Sequence, residues 1–159
     1  MDFNDTNVAD DDTTLDVLAV NIQENNERCP INYVTPPGVV REQLYNNNTV
    51  INQNEQSLAL RVSGKGLEPN DSRAVFKNVS IDMRQFNKLK MFLHAESLPN
   101  EIVLRDNQMV GFIRFGNDFT DNFYQIEIPL QVTIPSPDCK VGASAVWPEA
   151  NEIDLKLDL

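Results

Sequence analysis

The chain has 159 residues, with 24 Asp and Glu against 13 Lys and Arg, for a formal net charge of -11. Such a surface repels phosphate backbones and argues against nucleic-acid binding, and its simplest use is solubility. No run of about 18 apolar residues exists, which excludes a transmembrane helix, while 41% hydrophobic residues and a mean hydropathy of -0.37 fit one globular domain with a real core.

Residues 1–14 read as a flexible acidic arm, because Asp10, Asp11 and Asp12 repel one another and few apolar groups offset the cost of order. Residues 1–26 carry no Lys or Arg, so no targeting sequence is expected there. A cytoplasmic chain and an internal piece of a longer exported chain both fit. Residues 15–22 alternate as a strand. Residues 25–30 read as a loop, and residues 31–34 as a short extended run. Thr35-Pro36-Pro37-Gly38 fixes an extended or turn backbone, since proline locks φ and restricts the residue before it. Residues 41–45 read as a helical turn, followed by the turn cluster Asn46-Asn47-Asn48. Asn47-Asn48-Thr49 and Asn78-Val79-Ser80 match the glycosylation sequon, a pattern short enough to arise by chance.

Residues 57–63 alternate again, with Leu58, Leu60 and Val62 expected inward and Ala59 and Arg61 outward. Residues 74–81 read as a further strand, and residues 82–87 as a single turn. In residues 88–96, Leu89, Met91, Leu93 and Ala95 share one face, with Lys88, Lys90, Phe92, His94 and Glu96 on the other. Residues 102–104 form a short strand by the same criterion.

The strongest pattern organises residues 109–134. Met109, Gly111, Ile113 and Phe115 oppose Val110, Phe112 and Arg114. After a turn-rich loop, Tyr124, Ile126, Ile128, Leu130, Val132 and Ile134 fall on one face, expected to be buried. This predicts a β-hairpin at the centre of an antiparallel sheet. Beyond it, Trp147 is expected to pack against the domain edge. Ile153, Leu155, Leu157 and Leu159 alternate in a C-terminal strand that stops in mid-pattern, as a truncated longer protein would.

About eight short strands, many turns and no long helix predict an all-β antiparallel sandwich, with a galactose-binding-like jelly roll preferred. The expected domain spans residues 15–146, and residues 147–159 lead out of it. No catalytic set is visible and no cofactor is expected. His94 on a polar strand face reads as a surface imidazole paired with a neighbour. Asn117, Asp118, Asp121 and Asn122 offer oxygens that a Ca²⁺ ion would accept, yet lack the spacing and glutamate of an EF-hand; ordinary turn chemistry explains them too. Phe112, Phe119 and Phe123 form a possible ligand face for a sugar, or a second core layer. Cys29 and Cys139 are either a disulfide closing a long loop or two thiols.

Several stretches resemble the SprA/Sov family. They are residues 36–43, 54–58, 71–78, 82–85, 88–96, the hairpin at 111–130, and Trp147-Pro148-Glu149 with Asn151-Glu152-Ile153-Asp154. The resemblance runs in order from about Arg28 to Leu159. Members are very large outer-membrane proteins that form the translocon of the type IX secretion system and serve gliding motility. The resemblance implies a non-catalytic extramembrane domain at the outer membrane or cell surface, not itself membrane-spanning. Its implied partners are other parts of the same barrel protein and secretion-system proteins. A Cys29–Cys139 pairing would suit an exported location. A carbohydrate-binding β-sandwich module, with a glycan as partner, is the alternative. A hydrolase fits less well for want of a catalytic set.

Overall fold

Alternation with period two produces strands here, but pairs them only two at a time. The computed structural model describes residues 12–46, 49–118 and 120–157. Its strands are β1 (Thr13–Asn21), β2 (Gln43–Asn46), β3 (Thr49–Asn52), β4 (Gln56–Gly64), β5 (Lys88–Phe92), β6 (Val110–Gly116), β7 (Phe123–Pro129) and β8 (Glu152–Lys156). Single-turn helices α1 (Ile22–Asn25) and α2 (Ala143–Val146) and two 3-10 turns complete the described elements. The fold is all-β. Its sheets are small and unclosed, with β1 bonded to β4, β2 to β3, β5 to β8 and β6 to β7.

The chain divides into two compact units, and the division differs from the single domain expected over residues 15–146. The smaller unit comprises described residues 12–20 and 56–81, because β4 bonds back to β1. The expected acidic arm lies mostly outside the described residues, but Thr13 and Thr14 open β1. Thr13 Oγ1 donates to the Gly66 carbonyl at 2.7 Å, and the Thr14 and Ser63 hydroxyls share a bond of 2.7 Å. Arg61 grips Asp16 Oδ2 from two nitrogens at 3.0 and 2.6 Å. Gly64 ends β4 with φ +82°, and a Cβ there would meet the Asp12 carbonyl oxygen at 2.1 Å, so only glycine fits.

Two expectations fail in this unit. Leu58 and Leu60 are exposed, Leu58 by 63%, because alternation separates two faces without supplying anything to cover either. Residues 74–81 have strand composition but join no described ladder. Lys77-Asn78 interrupts their apolar run.

The larger unit comprises residues 21–55 and 82–157, and holds every buried hydrophobic residue of the described chain: Ile31, Tyr33, Ala95, Leu130, Val146, Trp147 and Ile153. Here β5 and β8 run antiparallel, with Leu89 opposite Leu155 and Met91 opposite Ile153 on one face. The other face carries charge, with Lys88 on Asp154 at 2.6 Å and Lys90 on Glu152 at 2.7 Å. The C-terminal strand therefore does not lead out of the domain; it pairs within it and buries Ile153.

The hairpin forms where expected. β6 and β7 pair from Val110 opposite Pro129 to Gly116 opposite Phe123. Among the described residues it is a two-stranded ribbon, however, not the centre of a wider sheet. Its expected buried face also fails at both ends: Tyr124 is 71% exposed and Ile134 82%. The paired register ends at Pro129, and beyond it the backbone is held by a mixture of backbone and side-chain partners, beginning with the Leu130 N–H to the Met109 carbonyl at 2.8 Å. Asn151, 0% exposed, accepts from the Gln131 N–H at 2.7 Å and donates to the Gln131 carbonyl at 2.8 Å. Asp106 accepts from the Val132 N–H at 2.8 Å, and the Ala95 carbonyl from the Thr133 N–H at 2.8 Å. The bends this requires bury Thr133 and turn Ile134 to solvent. Residues 102–104, expected as a strand, are irregular, with Ile102 and Val103 exposed.

Residues 41–45 do not make a helical turn. Gln43–Asn46 is β2, paired with β3 so that Leu44 faces Ile51 and Tyr45 faces Val50. Bulky Leu and Tyr suit a pleated strand; Asn47 and Asn48 of the expected turn cluster lie outside the described residues.

Candidate functional site

The loop between β6 and β7 is built around Asp118. Its Oδ1 accepts from the backbone N–H groups of Thr120 (3.0 Å), Asp121 (2.7 Å) and Asn122 (2.9 Å), and its Oδ2 from the Asn122 amide at 2.6 Å. The Asn122 amide, then the backbone donors, hold the Asp118 carboxyl well below the usual carboxylate range. Loop closure adds the Asn117 N–H to the Asn122 carbonyl at 2.9 Å. A Cβ at Gly116 would sit 2.1 Å from that carbonyl, so the close approach requires glycine. The four residues expected to offer oxygens to Ca²⁺ thus come together, but the Asp118 oxygens point at their own loop's donors. Among the described residues no group of three or more His, Cys, Asp or Glu is placed to hold a metal ion.

Of the aromatic face, Phe119 lies outside the described residues. Phe112 and Phe123 lie on the β6–β7 face that also carries Arg114, Gln125 and Glu127. Both are half-buried, and the Arg114 guanidinium covers the Phe123 ring at 4.0 Å. The more open aromatic pair is on the opposite face, where Phe115 and Tyr124 stack at 5.8 Å between centroids. Cross-strand register could have found this pair, since it sets Phe115 directly opposite Tyr124.

Cys29 and Cys139 are joined, with Cα atoms 5.0 Å apart across a sequence separation of 110. The bridge ties the segment before Ile31 to the turn before α2. Asn32 reinforces the junction by accepting from the Val141 N–H at 2.6 Å. Ser136 and the Lys140 N–H both bond the Asp138 carboxylate, whose pKa they lower.

A further cluster surrounds Trp147, which is buried in the core and not packed at an edge. Its Nε1–H donates to the Val34 carbonyl at 2.6 Å. Tyr33, Phe92 and His94 meet the indole edge-to-face, at 6.2, 6.4 and 5.9 Å. His94, expected at the surface beside a neighbour, is half-buried. Its Nδ1 lies 2.9 Å from the Val146 carbonyl and must carry hydrogen there, because a carbonyl only accepts. Its Nε2 lies 3.1 Å from Glu96 Oε2, which Arg28 also binds. Burial alone would raise the Glu96 pKa, but the bonds from His94 and Arg28 outweigh it and lower the pKa overall. The Thr133 hydroxyl lies 3.2 Å from Nδ1 but gives its hydrogen to the Ala145 carbonyl at 2.9 Å. The group is therefore arranged to clamp α2 and Trp147 in place, not to pass a proton from hydroxyl to imidazole. Sequence reasoning missed it because Arg28 and Glu96 lie 68 positions apart.

No curated protein matches the chain. A family model does, over residues 2–159: that of SprA_N, described as motility related/secretion protein. The match covers nearly the whole chain, and the chain belongs to the SprA_N family of motility-related and secretion proteins.

Proposed function

We propose that this chain is a non-catalytic extramembrane domain of a type IX secretion translocon at the outer membrane, serving protein secretion and gliding motility. The family match over residues 2–159 carries the reading. The surface supports it. Val17, Leu18, Leu44, Tyr45, Ile102 and Ile134 are among many large apolar side chains left exposed, as in a piece that docks against further protein. No described helix is long and apolar enough to cross a membrane. The jelly-roll sandwich belongs to the same reading, because open ribbon edges leave room for strands that would join them.

In-frame deletion of residues 13–157 tests the proposal. The expected result is a strain that still makes the protein but loses type IX cargo export and gliding. Normal export and gliding would sink it. The stacked pair Phe115 and Tyr124 favours a second reading, a carbohydrate-binding module. There, glycan-array binding that Tyr124→Ala abolishes is the expected outcome, and a blank array rejects it.

A further inference from the structure

Residues 72–82 form no strand or helix and join no described ladder. Every residue from Val75 to Asp82 is exposed, the apolar ones included, with Val79 at 60% and Ile81 at 55%. Lys77 stands within this run. A peptidase draws several successive residues of backbone into its cleft, so cleavage favours exposed backbone outside ladders. The other cations are not presented in this way. Arg61, Lys88, Lys90, Arg114 and Lys156 lie in strands, where a ladder would have to open first. Arg28 and Arg41 are half-buried and hold the Ile31 and Gln53 carbonyls at 2.9 and 2.8 Å. Arg73 is half-buried, Arg84 lies in a 3-10 turn on Asp82, and the Lys65 N–H bonds the Asp12 carbonyl at 3.3 Å. The Arg105 N–H donates to Gln108 Oε1 at 2.8 Å, and its carbonyl accepts from the Gln108 N–H at 3.2 Å, which closes a tight turn. The Lys140 N–H is held by Asp138 at 3.2 Å, beside the cystine.

We propose that the Lys77–Asn78 peptide bond is a processing site for an endopeptidase that requires a basic residue before the bond it cuts. The step consumes one water. The C–N bond between Lys77 and Asn78 breaks, leaving a carboxylate on Lys77 and an amine on Asn78, with nothing oxidised or reduced. The two pieces, residues 1–77 and 78–159, stay together, because Cys29 lies on the first and Cys139 on the second. Other bonds of the larger unit join the same two pieces. Arg28 binds Glu96, Asn32 accepts from the Val141 N–H, and the Trp147 indole donates to the Val34 carbonyl. The β1–β4 pair lies wholly on the first piece. Cleavage therefore gives a two-chain molecule that keeps the core of the larger unit, with the cystine as its covalent link.

Brief digestion of the oxidised chain with trypsin tests this. The first cut should fall after Lys77, read as a new N-terminus that begins Asn78-Val79-Ser80-Ile81. Without reductant the product should remain one species of 18.0 kDa and keep the emission of Trp147, the chain's one tryptophan. With reductant it should separate into two pieces of nearly equal length. Lys77→Gln should lose this cut at trypsin doses that consume the native chain. Arg105→Gln, exposed but held in its turn, should be cut after Lys77 at the native rate. A first cut at any other residue overturns the proposal. So does a product whose pieces part without reductant, or one whose Trp147 emission shifts to that of the unfolded chain before reduction.

Discussion

The larger unit and the β1–β4 ribbon unit are written in the same alternating code, yet only one of them has an interior. All seven buried hydrophobic residues among the described residues belong to the larger unit. The ribbon unit exposes Val17, Leu18, Leu58 and Leu60 along its two strands. The difference lies in what each segment has to pack against. In the larger unit a disulfide, an indole and a set of polar clamps hold irregular segments over the strands. In the ribbon unit the two described strands pair with each other and bury no hydrophobic side chain. Alternation alone therefore makes a ribbon, and burial requires a third element.

The comparison can be broken hardest at the cystine. Reducing it, or replacing Cys139 with Ser, frees a loop of 110 residues, and the loop-entropy model puts the loss at roughly 4–5 kcal/mol. Urea titration of oxidised and reduced protein should show the larger unit's transition moving, with the ribbon unit's amide exchange unaffected. Trp147→Ala should cost about 3–5 kcal/mol, because it removes the ring that three aromatics pack against. A thermal melt that barely moved would show that the core is not centred there.

Glu96→Gln comes next, at about 1–3 kcal/mol, since it leaves Arg28 and His94 facing a neutral amide. Acid should mimic it. The folded-state pKa of Glu96 is depressed, so its contribution is fully present above the unfolded value, near 4.5, and is lost as pH falls through the lower folded value. Stability measured from pH 6 down to 2 should therefore fall below about 4.5, and less so in Glu96→Gln. The smallest effect belongs to the ribbon: Leu58→Ala should change stability by less than about 0.5 kcal/mol, as for a side chain already in water. A larger loss would mean that Leu58 is covered in solution.

Much of the fold was legible. The β6–β7 hairpin, β1, β4, β5 and β8 all follow from period-two alternation, and the turn at Pro36–Gly38 from its prolines and a glycine at φ +77°. What was not legible is long-range. Apart from the Lys77-Asn78 interruption, nothing local separates residues 74–81, which join no described ladder, from residues 88–92, which pair with a strand 60 to 68 positions later. Thr133 and Ile134 exchanged their expected places because Asn151, Asp106 and Ala95 take hold of the chain past Pro129. The Trp147 cluster was hidden for the same reason: Arg28, the pair His94 and Glu96, and Thr133 converge on it from three separate stretches. Local turn chemistry was readable in the Asp118 loop, since all its bonds lie within five positions.

Asn151 has a consequence of its own. Its carboxamide bonds both polar groups of Gln131, much as a neighbouring peptide unit would, and so acts as a one-residue rung between the C-terminal segment and the chain leaving the hairpin. Aspartate at this place could accept but not donate, and leucine could do neither. A shift of either segment by a single residue would break both bonds together, so this one amide sets the alignment of two stretches that share no ladder.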